Sequence, residues 1–218
     1  TLLLPAIKSD LRKIRPNYVW KPQNVPRIAT KALSSERFYC FFRNLNHYVI
    51  SEEFRNKFEH HREPKKREVV FFSGCGIQLL ENQYRVLCEI FEELDVDFGL
   101  IDGSHLKRVC CGAVHCEAGN FEHGTLMLKN LIHEIKRFHT KKVIVYCATC
   151  YFGLKILAPE LIENYDLEIQ HATNFIADVI QERGENLFLP TRDHVYTIHD
   201  SCNLAHGPRG DASSIRRI

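Results

Sequence analysis

The sequence has almost no net charge, no long apolar run and no even set of cysteines. Lysine plus arginine exceed aspartate plus glutamate by only 29 − 27 = 2. That balance gives no warrant for a nucleic-acid binder or a polybasic membrane surface. No apolar run approaches the ~18 residues that a transmembrane helix needs. The opening Thr1-Leu2-Leu3-Leu4-Pro5 is too short for a signal-peptide core and lacks its basic lead. An initiator methionine is missing, and the end at Ile218 carries no tail signal, so a fragment of a longer protein is expected. Internal repeats and low-complexity tracts are also missing. What remains is ordinary globular composition: 218 residues, 44% hydrophobic and 26% charged. A chain of this size buries roughly 70% of its unfolded surface and supports a core without staples.

Cysteine is the informative residue. There are nine: Cys40, Cys75, Cys88, Cys110, Cys111, Cys116, Cys147, Cys150 and Cys202. An odd count without a secretory signal argues against a disulfide framework. It points instead to a reducing, cytoplasmic setting, where clustered thiols bind metal or do redox chemistry. The twelve histidines are scattered.

The pattern along the chain divides at about residue 66. Residues 1–30 are punctuated by Pro5, Pro16, Pro22 and Pro26 and read as an extended arm. Ser34-Ser35-Glu36 predicts a helix cap, with a helix running to about Phe58. The charged stretch His60 to Arg67 (HHREPKKR) reads as a solvated linker, with Pro64 ending the helix. Residues 1–66 are thus an N-terminal arm and helix, and 67–218 a second unit. There, Val69-Val70-Phe71-Phe72 predicts a strand followed by a turn through Gly74 and Gly76. A helix over 78–94 follows, with Leu80, Tyr84, Leu87, Phe91 and Leu94 on its apolar face. Further strands are expected at 96–101, 143–146 and 195–198, and further helices at 122–138 and 172–183. Strands alternating with amphipathic helices predict an α/β fold with a mostly parallel sheet and flanking helices.

Three cysteine groups fall just beyond strand ends: Cys75, the pair Cys110-Cys111, and Cys147 with Cys150. Thirty-four residues separate Cys75 from Cys110, and 35 separate Cys111 from Cys147. In an open α/β sheet, ligands bind outside the carboxyl ends of the strands, so these groups are expected to converge. Converging thiolates repel unless a cation neutralises them. Five thiolates exceed the four of a tetrahedral zinc site or one cubane cluster, which favours an unusual iron–sulfur centre. A zinc site using four of the cysteines and a purely structural role are the alternatives.

The spacing and local text resemble the cysteine-rich CCG domain of heterodisulfide reductase. The module also occurs in iron–sulfur subunits of glycolate, lactate and anaerobic glycerol-3-phosphate dehydrogenases. CCGAVHCEAGN resembles the family's CCGAP followed by AG, and YCATCYFGLK resembles its CPGCYxxLK. His199-Asp200-Ser201-Cys202 resembles the HDPCH that opens a second copy. The resemblance covers about residues 68–218 and implies a Rossmann-like fold. It implies that Cys75, Cys110, Cys111, Cys147 and Cys150 hold a non-cubane [4Fe–4S] cluster at which a disulfide is cleaved. Cys202 would begin a second, truncated module near 194–218, whose CCG partner is expected beyond Ile218. No ferredoxin-type CxxCxxC run is present, so electrons are expected from other redox subunits or domains carrying ferredoxin-type clusters or flavin.

Bland readings stand beside these. Cys88 and Cys40 lie among aromatics and read as core. Cys116 is a sixth thiol near the site, or core. His115 and His123 flank the CC loop, as hydrogen-bond donors to sulfur or as ordinary loop residues. His199 and Asp200 read as closing a turn. Gly74, Gly76 and Gly112 read as permitting tight turns and close backbone approach. Three functions follow from the resemblance and the cysteine pattern. The first is an oxidoreductase subunit reducing a small disulfide or thiol-derived substrate. The second is an electron-transfer subunit of a flavin-dependent 2-hydroxy-acid or glycerol-3-phosphate dehydrogenase. The third is a zinc-binding interaction module without catalysis.

Overall fold

Four short strands, three of them followed directly by a long helix or a helical run, build a parallel sheet in this computed structural model. It describes residues 50–74, 77–102, 110–117, 119–183, 195 and 197–199. The strands are β1 (Val69–Phe72), β2 (Phe98–Ile101), β3 (Lys142–Val145) and β4 (Glu168–His171). They lie in the order β2-β1-β3-β4, each pair parallel, with Val69 opposite Phe98 and Val70 opposite Val143. β1 is central and buried along its whole length. A parallel strand covered on both faces reads as a continuous apolar run, as Val-Val-Phe-Phe does.

Side-chain alternation along β1 divides the core in two. Val69 and Phe71 join Tyr84, Cys88, Phe91 and Phe98 on one face. Val70 and Phe72 join Leu128, Leu131, Ile135 and Leu154 on the other. The first face is covered by α1 (Glu52–Lys57), α3 (Ile77–Glu93) and α8 (Ala172–Arg183), with α2 (Glu59–Arg62) against β2. The second is covered by α4 (Ala113–Glu117), α5 (Phe121–Lys136) and a helical run from 148 to 161. That run is α6 (Ala148–Phe152), a π turn (Gly153–Leu157) and α7 (Ala158–Leu161).

The expected α/β fold is present, with its helices at 78–94, 122–138 and 172–183 found as α3, α5 and α8. Several details differ. Leu80 is 42% exposed because α3 breaks there, at φ −132° and ψ 32°. No continuous helix reaches Phe58. Ser51 is extended, and its hydroxyl accepts the Phe54 amide at 3.1 Å, capping the separate helix α1. The start expected at Ser34 lies outside the described residues. The stretch 60–67 is not simply solvated: His61 and Arg67 are buried. Arg62 gives Asp102 two hydrogen bonds, at 2.9 and 2.6 Å. The helix does end before Pro64, at Arg62.

The strand expected at 195–198 is not formed by its described residues. Val195, Thr197 and Ile198 are exposed and outside the sheet, Val195 at 99%. The place beside β3 is taken by β4, which the apolar pattern did not reveal. Among the described residues no helix is long and apolar enough to cross a membrane.

Candidate metal centre

The chain leaves β1 for β2 on one side and returns to β3 on the other. Ligands bind at such a reversal, in the crevice beyond the carboxyl ends of the two central strands. Gly74 follows β1 here and Cys147 follows β3. Cys110 and Cys111 precede α4, at the end of the connection from β2.

Four of the five predicted sulfurs meet in a line. Cys111 accepts hydrogen bonds from Cys110 and Cys150, and Cys150 also bonds to Cys147. The Gly112 amide donates to Cys110 Sγ at 3.4 Å. Cys111 and Cys150 are buried, and Cys110 and Cys147 are half-buried.

Protons are shared unequally along this line. The Cys110 and Cys150 donors hold the Cys111 thiol well below its ordinary range. Cys147 is drawn down to about 6, first by its bond to Cys150 and then by the amides of Cys150 and Thr149. Cys147 occupies the N-cap of α6. No short capping bond forms, but amides facing the sulfur favour its thiolate. Cys150, the donor to Cys111 and Cys147, is pushed well above the ordinary thiol range. The line thus draws Cys111 and Cys147 toward the thiolate and keeps the proton of Cys150 in place.

Two glycines make room for it. Gly74 has φ +66°, and a Cβ there would stand 2.8 Å from Cys150 Sγ. Gly112 has φ +69°, and a Cβ there would collide with the carbonyl of Gly124 on α5. The third residue of the CCG motif thus sets the approach of its loop to a helix. Sequence reasoning missed Gly124, although a glycine inside a helical pattern is a signal of close packing. It also missed His171, for which no local signal exists. This buried ring donates from Nε2 to the Tyr146 carbonyl at 2.7 Å and accepts from the Thr173 hydroxyl at 2.8 Å. It thereby steadies the backbone just before Cys147.

The other candidates lie apart from the line. Cys88 is fully buried in the α3 face of the core, where burial raises its thiol pKa. Cys116 packs under the CCG loop and is pushed up to about 11, first by burial and then by the Cys111 charge. His115 is buried in α4, edge-on to His123 at 4.6 Å between ring centroids. His199 is exposed. Cys40, Cys75, Gly76, Asp200 and Cys202 lie outside the described residues.

The residues present fit a thiolate-bound metal. The donors are soft sulfurs, suited to zinc or iron–sulfur centres. Two have thiol pKa values held below the ordinary range, and a missing Cβ leaves space beside a third.

Comparison with known proteins finds redox enzymes among its relatives. The chain is 29% identical over 144 residues to the EtfAB:quinone oxidoreductase of Syntrophomonas wolfei subsp. wolfei, covering 64% of this chain and 19% of that protein. It is 26% identical over 145 residues to one subunit of the dihydromethanophenazine:CoB–CoM heterodisulfide reductase of Methanosarcina mazei, covering 64% and 34%. The same subunit from Methanosarcina barkeri matches to the same extent. The chain therefore spans about a fifth to a third of these relatives, all of them named as oxidoreductases or reductase subunits. No solved structure matches. The model of the cysteine-rich CCG domain matches residues 69–155, from the first residue of β1 into the π turn that follows Cys150. Over these residues the chain is similar to the cysteine-rich CCG domain.

Proposed function

We propose that the chain is the cysteine-rich part of an iron–sulfur oxidoreductase of heterodisulfide-reductase type. Cys75, Cys110, Cys111, Cys147 and Cys150 are its ligands, and a [4Fe–4S] cluster of the non-cubane kind is its cofactor. One observation carries this reading: the hydrogen-bonded line Cys110–Cys111–Cys150–Cys147 at the reversal of the sheet. Cys75 follows Gly74, whose missing Cβ faces the Cys150 sulfur. A fifth ligand from Cys75 would exceed what zinc or one cubane cluster takes.

Bound there, the cluster supplies single electrons and an iron that a substrate sulfur can reach. The chain's own residues prepare the site. Cys111 and Cys147 offer thiolates, Cys147 with help from the amides at the start of α6. The protons on the donor thiols Cys110 and Cys150 leave as metal binds. A small disulfide is the substrate class, and partner subunits or domains with ferredoxin-type clusters or flavin supply the electrons.

Likeness to an EtfAB:quinone oxidoreductase favours a second reading, in which the same cluster only passes electrons onward. A zinc module without catalysis is the third.

Protein prepared without oxygen is expected to be brown and to hold about four irons with acid-labile sulfide per chain. One zinc without sulfide overturns the cluster. Reduction of a small disulfide by the loaded protein selects the first reading. A cluster that is reversibly reduced yet inert toward disulfides selects the second.

A further inference from the structure

His60, His61 and Glu92 form a second cluster, at the opposite end of the sheet from the thiols. His61 is 6% exposed and stacks on Phe98, the first residue of β2, with ring centroids 3.8 Å apart. Its Nδ1 lies 2.9 Å from the Phe98 carbonyl. A carbonyl oxygen only accepts, so Nδ1 carries the proton and the tautomer is fixed. The neutral ring then presents a bare lone pair at Nε2. That lone pair lies 3.2 Å from a carboxylate oxygen of Glu92. Two acceptors thus face each other, and either a second proton or a metal cation must lie between them.

The separation lies at the long end of the N–H···O range and suits a metal ion as well. A charged N–H···O bond contracts to about 2.7–2.9 Å. Two ligands each ~2.0–2.1 Å from a tetrahedral zinc stand roughly 3.4 Å apart, near the 3.2 Å found here. His60 completes the set. Its ring lies 3.9 Å from that of His61, and the three ligand atoms are all within 4.8 Å of one another.

We propose that His60, His61 and Glu92 bind a divalent transition-metal ion of the zinc class, separately from the thiol centre. Two imidazoles and a carboxylate are a zinc ligand set that leaves a fourth position for water. The His61–carbonyl bond is the outer partner that orients a ligating histidine. His60 and Glu92 are exposed and give the ion its path in. The ion ties α2 to the end of α3 and to β2.

Cobalt(II) titration of the full chain, followed by visible absorption, tests this. One equivalent is expected to bind without thiolate-to-metal charge transfer, and zinc is expected to displace it. That equivalent persists in Cys111→Ser and Cys147→Ser. In His60→Ala and Glu92→Gln its affinity falls at least about tenfold. Both replaced side chains are at the surface, and in the Cys111→Ser background zinc is expected to raise the Tm, but no longer once His60→Ala is added. Thiolate charge transfer from every bound cobalt, or unchanged affinity in His60→Ala, overturns the site. Neither result bears on the cluster at the cysteines.

Discussion

A methyl group at Gly112 is expected to disturb the site more than many larger changes. The residue combines φ +69° with backbone contact to Gly124, so alanine meets both strain and a collision. Left-handed strain alone costs about 1–3 kcal/mol. Gly112→Ala is therefore expected to lower stability by at least about 2 kcal/mol in urea unfolding and to shift Cys111 away from Cys150, reducing the iron retained. Wild-type iron content in that variant would refute the role given to the glycine. The cysteines themselves divide by environment. The thiol neighbours of Cys111 lower its pKa, whereas burial raises that of Cys88 among aromatic rings. Cys111→Ser is expected to lose the cluster proposed at the cysteines. Cys88→Ser is expected to keep it at a cost of about 1–3 kcal/mol for a buried hydroxyl. Equal metal loss in the two variants would remove the distinction.

At the scale of elements, β4 acts on the site through one ring. His171 ends that strand and holds the Tyr146 carbonyl, one residue before Cys147. Burial pushes its pKa below the ordinary 6.5, despite its bond to the carbonyl. The unfolded chain therefore takes up this proton first as pH falls. The stabilising contribution is complete above pH 6.5 and is lost as pH falls below it, with a slope of at most about 1.4 kcal/mol per pH unit. Chemical unfolding between about pH 7 and 5.5 should show that decline, and His171→Gln should flatten it. An unchanged slope in the variant would assign the effect to another group. Neither β4 nor its histidine was legible in the sequence. Glu168-Ile169-Gln170-His171 is an edge strand with two fully buried positions, so it lacks the apolar run that announces β1. The helical run 148–161 was hidden for a different reason: its π turn breaks the 3.6-residue period. Strands β1 and β3 and helices α3, α5 and α8 were legible because burial on both sides of the sheet imposes strong periodicity. The convergence of Cys110, Cys111, Cys147 and Cys150 was legible too, since strand ends in a parallel sheet share one edge. What stands behind those sulfurs, Gly124 and His171, depends on contacts between distant segments.

The described residues together form a sheet with two covered faces, and the face opposite the CCG loop depends on residues before β1. Ile50, Phe54 and Phe58 are essentially inaccessible and pack with Val69, Phe71 and Phe98. Each such side chain contributes about 1.5–3 kcal/mol by burial, so together they rival the 5–15 kcal/mol net stability of a typical domain. A polar tie reinforces them. Arg62 and Asp102 meet at 2.6 Å with side chains only 5% and 2% exposed, joining α2 to the residue that follows β2. Removing one partner of a buried pair strands the other charge, which costs about 3–5 kcal/mol. Asp102→Ala is accordingly expected to lower the urea midpoint sharply, while Lys57→Ala, which breaks an exposed pair with Glu89, should change it little. A chain begun at residue 67 would lose both the aromatic cover and the ion pair. It is expected to show no cooperative unfolding transition and to bind dyes that report exposed apolar surface. A cooperative transition at the parent temperature would mean that residues 50–66 only decorate the sheet, and the attribution of that half of the core to α1 and α2 would fall.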